Sequence, residues 1–242
     1  MKYAIIAAGE GSRLAHEGVE APKPLVEING ERLIDRLIRI FMDNDAEEIV
    51  VICNSLTTLV SQHLAKLQED GLKGRRIPLR FLVKTTPSSM HSMFEISKYL
   101  ENSTFCLTTV DTIFREEEFA RYIKQLKENV ENGDNDGLMA VTDYIDDEKP
   151  LYISADENMN ITGFHDSKGD CKIISGGIYG LAPKSIGTLR KCVERGESRM
   201  RNFQRALVAD GMKLKACKFS KILDTDHKDD IKKAEAFLKG AE

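Results

Sequence analysis

The amino-acid sequence predicts an α/β protein: a mostly parallel central sheet flanked by helices, with a small inserted antiparallel β substructure. Three observations carry this reading. Short apolar runs such as residues 3–8 and 48–53 lack polar alternation, as expected of strands covered on both faces. Through the first half of the chain they alternate with segments whose apolar residues recur at helical spacing. Between residues 138 and 181 that rhythm gives way to short strand-like pieces divided by turns, the pattern of an antiparallel extension.

Residues 3–8 form the first strand and end in a glycine-bearing loop, Gly9-Glu10-Gly11-Ser12-Arg13. After the turn signal Asn29-Gly30, Leu33, Ile34, Leu37, Ile38, Phe41 and Met42 mark an amphipathic helix over 31–42. A strand at 48–53, a helix at 57–68, a strand at 79–83 and a helix at 89–100 follow. The β-branched run 105–110 precedes a polar helix over 116–131 and a Gly/Asn/Asp loop. Strand-like pieces lie at 138–142, 152–154, 160–164 and 172–181. Helices at 184–194 and 200–210, a strand at 214–219 and a helix at 229–238 complete the chain. Neither repeats nor low-complexity linkers interrupt it, so residues 1–242 read as a single domain.

The composition narrows the function. With 242 residues, 41% of them apolar, the chain can bury a substantial core. A net charge of -4 made of mixed acidic and basic residues provides no cationic face for a nucleic-acid backbone. Cys53, Cys106, Cys171, Cys192 and Cys217 form no CxxC pair and sit mostly in or beside apolar runs, reading as reduced core thiols of a cytoplasmic protein. No apolar segment approaches the ~18 residues that span a bilayer, and neither a signal-peptide nor a lipidation pattern is present. No membrane partner is expected.

Gly9 and Gly11 let backbone N–H groups approach an anion, while Arg13 and Lys23, the latter in Pro22-Lys23-Pro24-Leu25, supply charge from either end of one loop. A dinucleotide fingerprint would need a small residue where Leu14 stands and an immediate helix; Pro22 and Pro24 interrupt the stretch. This disfavours a nicotinamide-dependent oxidoreductase. No GxxxxGK[ST] P-loop is present either.

The pair AAGEGSRL and PKPL resembles the N-terminal signature of the sugar-nucleotide pyrophosphorylase and nucleotidyltransferase superfamily, A-A-G-x-G-[ST]-R followed by P-K-P-L. The resemblance implies a Rossmann-like sheet of the GT-A type. It also implies that Ala7, Ala8, Gly9, Gly11 and Ser12 lie along an NTP, with Arg13 at the β- and γ-phosphates and Lys23 at the α-phosphate.

Asp111 follows the run 105–110 and should project from the carboxyl edge of a central strand, where open α/β sheets place ligands and where a carboxylate suits Mg²⁺. The family's first metal-binding Asp falls there, usually after Gly; here Val110 precedes it. Capping of the next helix is the alternative role. Residues 223–235 resemble the family's closing D-x-D-T-P-E-D-L-x-x-A-E pattern, which places a second metal carboxylate on Asp226 with Asp224 as fallback. His227-Lys228 replaces the Thr-Pro, and Asp226 with Asp229 also reads as a helix cap with a first-turn acid.

Ser89, His91 and Ser92 stand where many relatives carry Gly-Thr-Ala; they suit a base or ribose and equally suit helix capping. His91 reads as a pocket wall or cap rather than a general base, since an acceptor that is already a phosphate anion needs little proton abstraction. Ser175-Gly176-Gly177-Ile178-Tyr179 resembles the family's G-I-Y strand beside the sugar, placing Gly176 and Gly177 at the acceptor. Lys168 stands near the family's Glu-Lys, which this sequence does not reproduce.

The expectation is thus Mg²⁺-dependent transfer of NMP from an NTP to a phosphorylated small molecule, foremost a sugar 1-phosphate, with Arg13, Lys23 and Asp111 catalytic. The alternatives are a phosphocholine or polyol-phosphate cytidylyltransferase and a non-catalytic nucleotide-binding regulator.

Overall fold

A first strand, β1 (Lys2–Ala7), is followed in the computed structural model, which describes residues 1–240, by a short helix, α1 (Ser12–His16). A single 3₁₀ turn, Lys23–Leu25, comes next. The sequence reading expects only a loop here; Pro22 and Pro24 preset the backbone for one tight turn and permit no longer helix. Asn29 and Gly30, at φ 51° and 78°, then turn a two-residue hairpin, β2 (Glu27–Ile28) and β3 (Glu31–Arg32). Positive φ at both central residues is what an Asn-Gly hairpin turn requires. Because Glu31 and Arg32 pair with that hairpin, α2 (Leu33–Asp43) starts two residues later than the periodicity suggests.

The alternation continues with β4 (Glu48–Cys53), α3 (Thr58–Asp70), β5 (Leu79–Val83), α4 (Ser89–Ser97), β6 (Phe105–Thr109) and β7 (Thr112–Ile113). Helix α5 (Glu116–Leu126) runs into a π turn, Lys127–Glu131. The antiparallel part comprises β8 (Gly137–Thr142), β9 (Tyr152–Ala155), β10 (Ile161–His165) and β11 (Ile173–Leu181). Helices α6 (Ser185–Glu194) and α7 (Met200–Ala209), strands β12 (Leu214–Lys218) and β13 (Leu223–Asp224), and helix α8 (Lys228–Leu238) follow.

Strands β5, β4, β1 and β6 lie side by side and parallel. β11 joins antiparallel to β6 and carries β8 and β9, so the antiparallel part extends the same sheet instead of forming a separate one. β12 pairs parallel to β8. Alternate residues of β1 serve opposite faces: Tyr3, Ile5 and Ala7 in one buried cluster, Ala4 and Ile6 in the other, joined by Ala8 just past the strand. This two-sided burial is why the strand reads as an unbroken apolar run. On the first face, Tyr3 stacks on Phe41 of α2 at 4.4 Å between ring centroids, and Phe119 of α5 stacks on Phe114 at 4.8 Å. Phe114 directly follows β7, so the segment after Asp111 is anchored in the core. Among the described residues no helix is long and apolar enough to cross a membrane.

Candidate active site

Beyond the carboxyl ends of β1 and β6 opens a cavity of about 420 Å³. The Gly-rich loop forms one wall: Ala7, Ala8, Gly9, Gly11, Ser12 and Arg13 all line it, as do Lys23, Asp111 and Asp226. Gly11 is left-handed, at φ 63°, and a Cβ there would come within 3.0 Å of the Lys23 Cβ. Glycine thus solves two problems at once: a strained backbone and the close passage of the Lys23 segment. Below the loop, the buried Asn54 donates from Nδ2 to the Gly9 carbonyl at 2.8 Å and more weakly to that of Ala8 at 3.4 Å, while its Oδ1 accepts from the Leu56 N–H.

The Lys23 ammonium, 10% exposed, donates to the Asp111 carboxylate and to Asp226 Oδ1, the latter at 2.6 Å. Arg13 Nη1 donates to the other Asp226 oxygen at 2.6 Å. Burial alone would lower the Lys23 pKa, but the charges and hydrogen bonds of Asp111 and Asp226 outweigh it and hold the amine charged. Burial likewise pulls Asp226 upward, and Lys23 and Arg13 reverse it, leaving the carboxyl below its usual range.

Two carboxylates 115 positions apart meet because β13 pairs antiparallel with β7, setting Asp224 opposite Thr112. The fully buried Thr225 fastens the join: its N–H and hydroxyl both donate to the Asp111 carbonyl, at 3.2 and 3.0 Å. The helix-cap alternatives for the two acids do not hold. Helix α5 begins after Arg115, four residues beyond Asp111, and α8 begins after His227, with Asp230 accepting from the N–H groups of Asp226 and His227. The Asp226 carboxylate is thereby free to face Lys23 and Arg13.

A second cavity, of about 320 Å³, shares Arg13 and Asp226 with the first and is lined by Gly176, Asp224 and the loop holding Tyr144, Asp146, Asp147 and Glu148. Enclosure by its walls, with the nearby charge of Asp111, pushes the Asp224 carboxyl well above the usual carboxylate range, although solvent reaches it through the cavity mouth.

Residues 3–175 match the model of the MobA-like NTP transferase domain. The chain belongs to that family. The match takes in Lys23 and Asp111 but stops before Asp226, whose place in the site comes from the β7 and β13 pairing. Glucose-1-phosphate cytidylyltransferase of Salmonella typhimurium is 28% identical over 65 residues, 27% of this chain and a quarter of that protein's length. Among solved structures, a candidate glucose-1-phosphate thymidylyltransferase from Bacillus anthracis superimposes with a TM-score of 0.82 at 17% identity, covering 99% of this chain and 95% of the other. Inositol-1-phosphate CTP transferase of T. maritima gives 0.77 at 19% identity, covering 98% and 96%. These likenesses establish the shared fold, the mostly parallel sheet with its antiparallel extension.

In this NTP transferase domain the remaining sequence-selected residues divide. Ser89 and Ser92 line the first cavity. His91 lines neither: its Nδ1 lies 2.9 Å from the hydroxyl of Ser88, the N-cap of α4, so the imidazole is held in the capping turn. Gly176 borders the second cavity, yet a Cβ there would strike the Ile222 side chain at 2.2 Å; its lack of a side chain admits Ile222. Gly177, at φ 73°, faces Thr112 and lines neither cavity. Lys168 is exposed in the turn between β10 and β11 and lines neither cavity, because the neighbouring Asp166 is tied to Arg201 and Arg205 of α7. Cys53, Cys106 and Cys192 are buried, and burial pushes the Cys53 thiol up to about 11, away from the reactive thiolate.

Sequence reasoning passes over Asn54, Thr225 and Glu17. Asn54 carried a faint signal, a polar residue at the carboxyl end of a buried strand where α/β sheets place ligands. Glu17 accepts from His227 Nδ1 at 2.7 Å and from the Lys228 N–H at 2.6 Å, which holds its carboxyl below the usual range.

Proposed function

We propose that this protein transfers the nucleoside monophosphate of an NTP to a phosphorylated small molecule, foremost a sugar 1-phosphate, and releases pyrophosphate. The observation that carries the reading is the meeting of Lys23, Arg13, Asp111 and Asp226 at the junction of two cavities. The glycine-lined cavity suits the triphosphate and the second suits the acceptor. An acceptor phosphate oxygen attacks the α-phosphorus, a new P–O bond forms, and the bond to the bridging β-phosphate oxygen breaks. Lys23 orients and neutralises the α-phosphate, Arg13 holds the departing pyrophosphate, and the Gly9–Gly11 backbone accommodates both.

The residues present fit Mg²⁺. Two carboxylates already converge on one cation, the Lys23 ammonium, and two carboxylates with substrate phosphates make a sufficient Mg²⁺ ligand set. Among the described residues no group of three or more His, Cys, Asp or Glu is arranged to hold a metal, so phosphate oxygens and water would have to complete the ligand set. Asp111 and Asp226 would hold the ion, with Asp224, which lines only the second cavity, beside them. Bound there, Mg²⁺ supplies charge neutralisation at the reacting phosphates.

A second reading, a phosphocholine cytidylyltransferase, is favoured by the wall of the acceptor cavity where Asp147 and Glu148 stand beside Tyr144, whose ring already holds one ammonium, that of Lys221 at 4.2 Å, while Asp146 is paired with Lys233. Carboxylates with an aromatic ring suit a quaternary ammonium. The test is Mg²⁺-dependent pyrophosphate release with each of the four NTPs against sugar 1-phosphates, polyol phosphates and phosphocholine, with Asp111→Ala as control. Release with one pair and none from the variant establishes the reaction, its base and its acceptor. NTP binding without release from any pair moves the regulator reading, or an acceptor outside the panel, ahead of it.

A further inference from the structure

Among the described residues, four interactions join the phosphate loop to the start of α8. Arg13 and Lys23 each bind the Asp226 carboxylate, and Glu17 accepts from the His227 side chain and the Lys228 N–H. The four are not equivalent. In nucleotidyl transfer Arg13 and Lys23 are the cations the triphosphate would claim, so their hold on Asp226 would weaken as nucleotide enters. Glu17 lines neither cavity and its partners are not needed by the phosphates, so its two bonds would survive loading. The position is also favourable electrostatically, since Lys228 opens α8, an 11-residue helix whose positive end attracts a carboxylate.

From this geometry, and resting on nucleotidyl transfer at this site, we propose that Glu17 is a positioning residue: a clasp that keeps Asp226 in register with the phosphate loop once Arg13 and Lys23 have turned to the nucleotide. The residue acts through its neighbours. Glu17 closes the segment of residues 11–25 against the carboxyl-terminal segment, and His227 supplies the second half of the clasp.

The experiment compares wild type, Glu17→Gln and Glu17→Ala by amide hydrogen exchange, with and without Mg²⁺ and a mixture of the four NTPs, and by steady-state kinetics. In wild type, protection of residues 226–231 persists or rises with nucleotide. In Glu17→Ala it falls at least tenfold in the loaded state. The kcat falls by about tenfold to a hundredfold, the range a misplacement near 1 Å produces, while the KM for NTP changes little. Glu17→Gln retains an oxygen for the Lys228 N–H and is expected to fold normally and recover part of the loss. In an Asp226→Ala background, Glu17→Ala should cost nothing further. Unchanged protection at Lys228 in Glu17→Ala, or a full additional loss in the Asp226→Ala background, overturns the clasp while leaving the transferase reading in place. A wild type whose loop 7–13 shows no response to nucleotide sinks the transferase reading itself, and the clasp with it.

Discussion

Lys23 is asked to do two things, and the structure shows only the first. It holds two carboxylates together while 10% exposed; in the proposed reaction it would turn toward phosphate oxygens. Lys23→Ala is therefore expected to lower kcat by about 10²–10³, the usual cost of one preorganised electrostatic contact. It also leaves Asp111 and Asp226 facing each other without a counter-charge. Mn²⁺ or Mg²⁺ alone should then raise the melting temperature of the variant more than that of wild type, which thermal scans with and without metal would show. Near-wild-type turnover would remove Lys23 from the mechanism. What the sequence discloses at this scale follows from distance along the chain. Gly9, Gly11, Arg13 and Lys23 lie within one loop and their spacing is itself the signal. Glu17 and His227 are 210 positions apart, and nothing local distinguishes Glu17 from a solvated surface acid.

At the scale of elements, the site depends on a ribbon of two residues a side. β7 and β13 are too short for periodicity to reveal, so sequence patterning sets Asp111 at the edge of a strand and Asp224 between two elements and leaves their pairing unseen. The longer parallel strands were legible because burial on both faces demands continuous apolar runs. The same physics hides β2 and β3, where the Asn-Gly turn is the whole signal. Thr225 gives the ribbon a test. Thr225→Val keeps the shape and removes the hydroxyl that donates to the Asp111 carbonyl, leaving the backbone bond in place. We expect about 0.5–1.5 kcal/mol of lost stability by denaturant titration, the net worth of one such bond. If the hydroxyl aligns the two carboxylates, kcat should fall several-fold with little change in the KM for NTP. An unchanged kcat would restrict Thr225 to folding.

For the whole molecule, the sheet places its chemistry at one end and much of its charge pairing elsewhere. Glu31 of β3, Arg39 of α2 and Glu116 of α5 form a connected group: Arg39 donates to both carboxylates at 2.8–2.9 Å, and Lys73 adds to Glu31 at 3.0 Å. None of these residues lines either cavity. The group ties α5 to β3 and the middle of α2 over the face that holds Tyr3, Phe41 and Phe119, so acid acts on stability through residues outside both cavities. The hydrogen bonds from Arg39 hold the Glu31 carboxyl down from 4.5 to about 2, and Glu116 is also lowered. A depressed folded-state pKa means that the unfolded chain takes up protons first as pH falls. The stabilisation is complete above the unfolded value of 4.5 and is lost progressively toward about 2. Arg39→Met removes the cause while keeping an apolar stem against α5. It should lower the melting temperature at neutral pH and flatten the decline through that acid window, with kcat nearly unchanged. Parallel acid limbs for wild type and Arg39→Met would mean that the acid sensitivity belongs to other carboxylates.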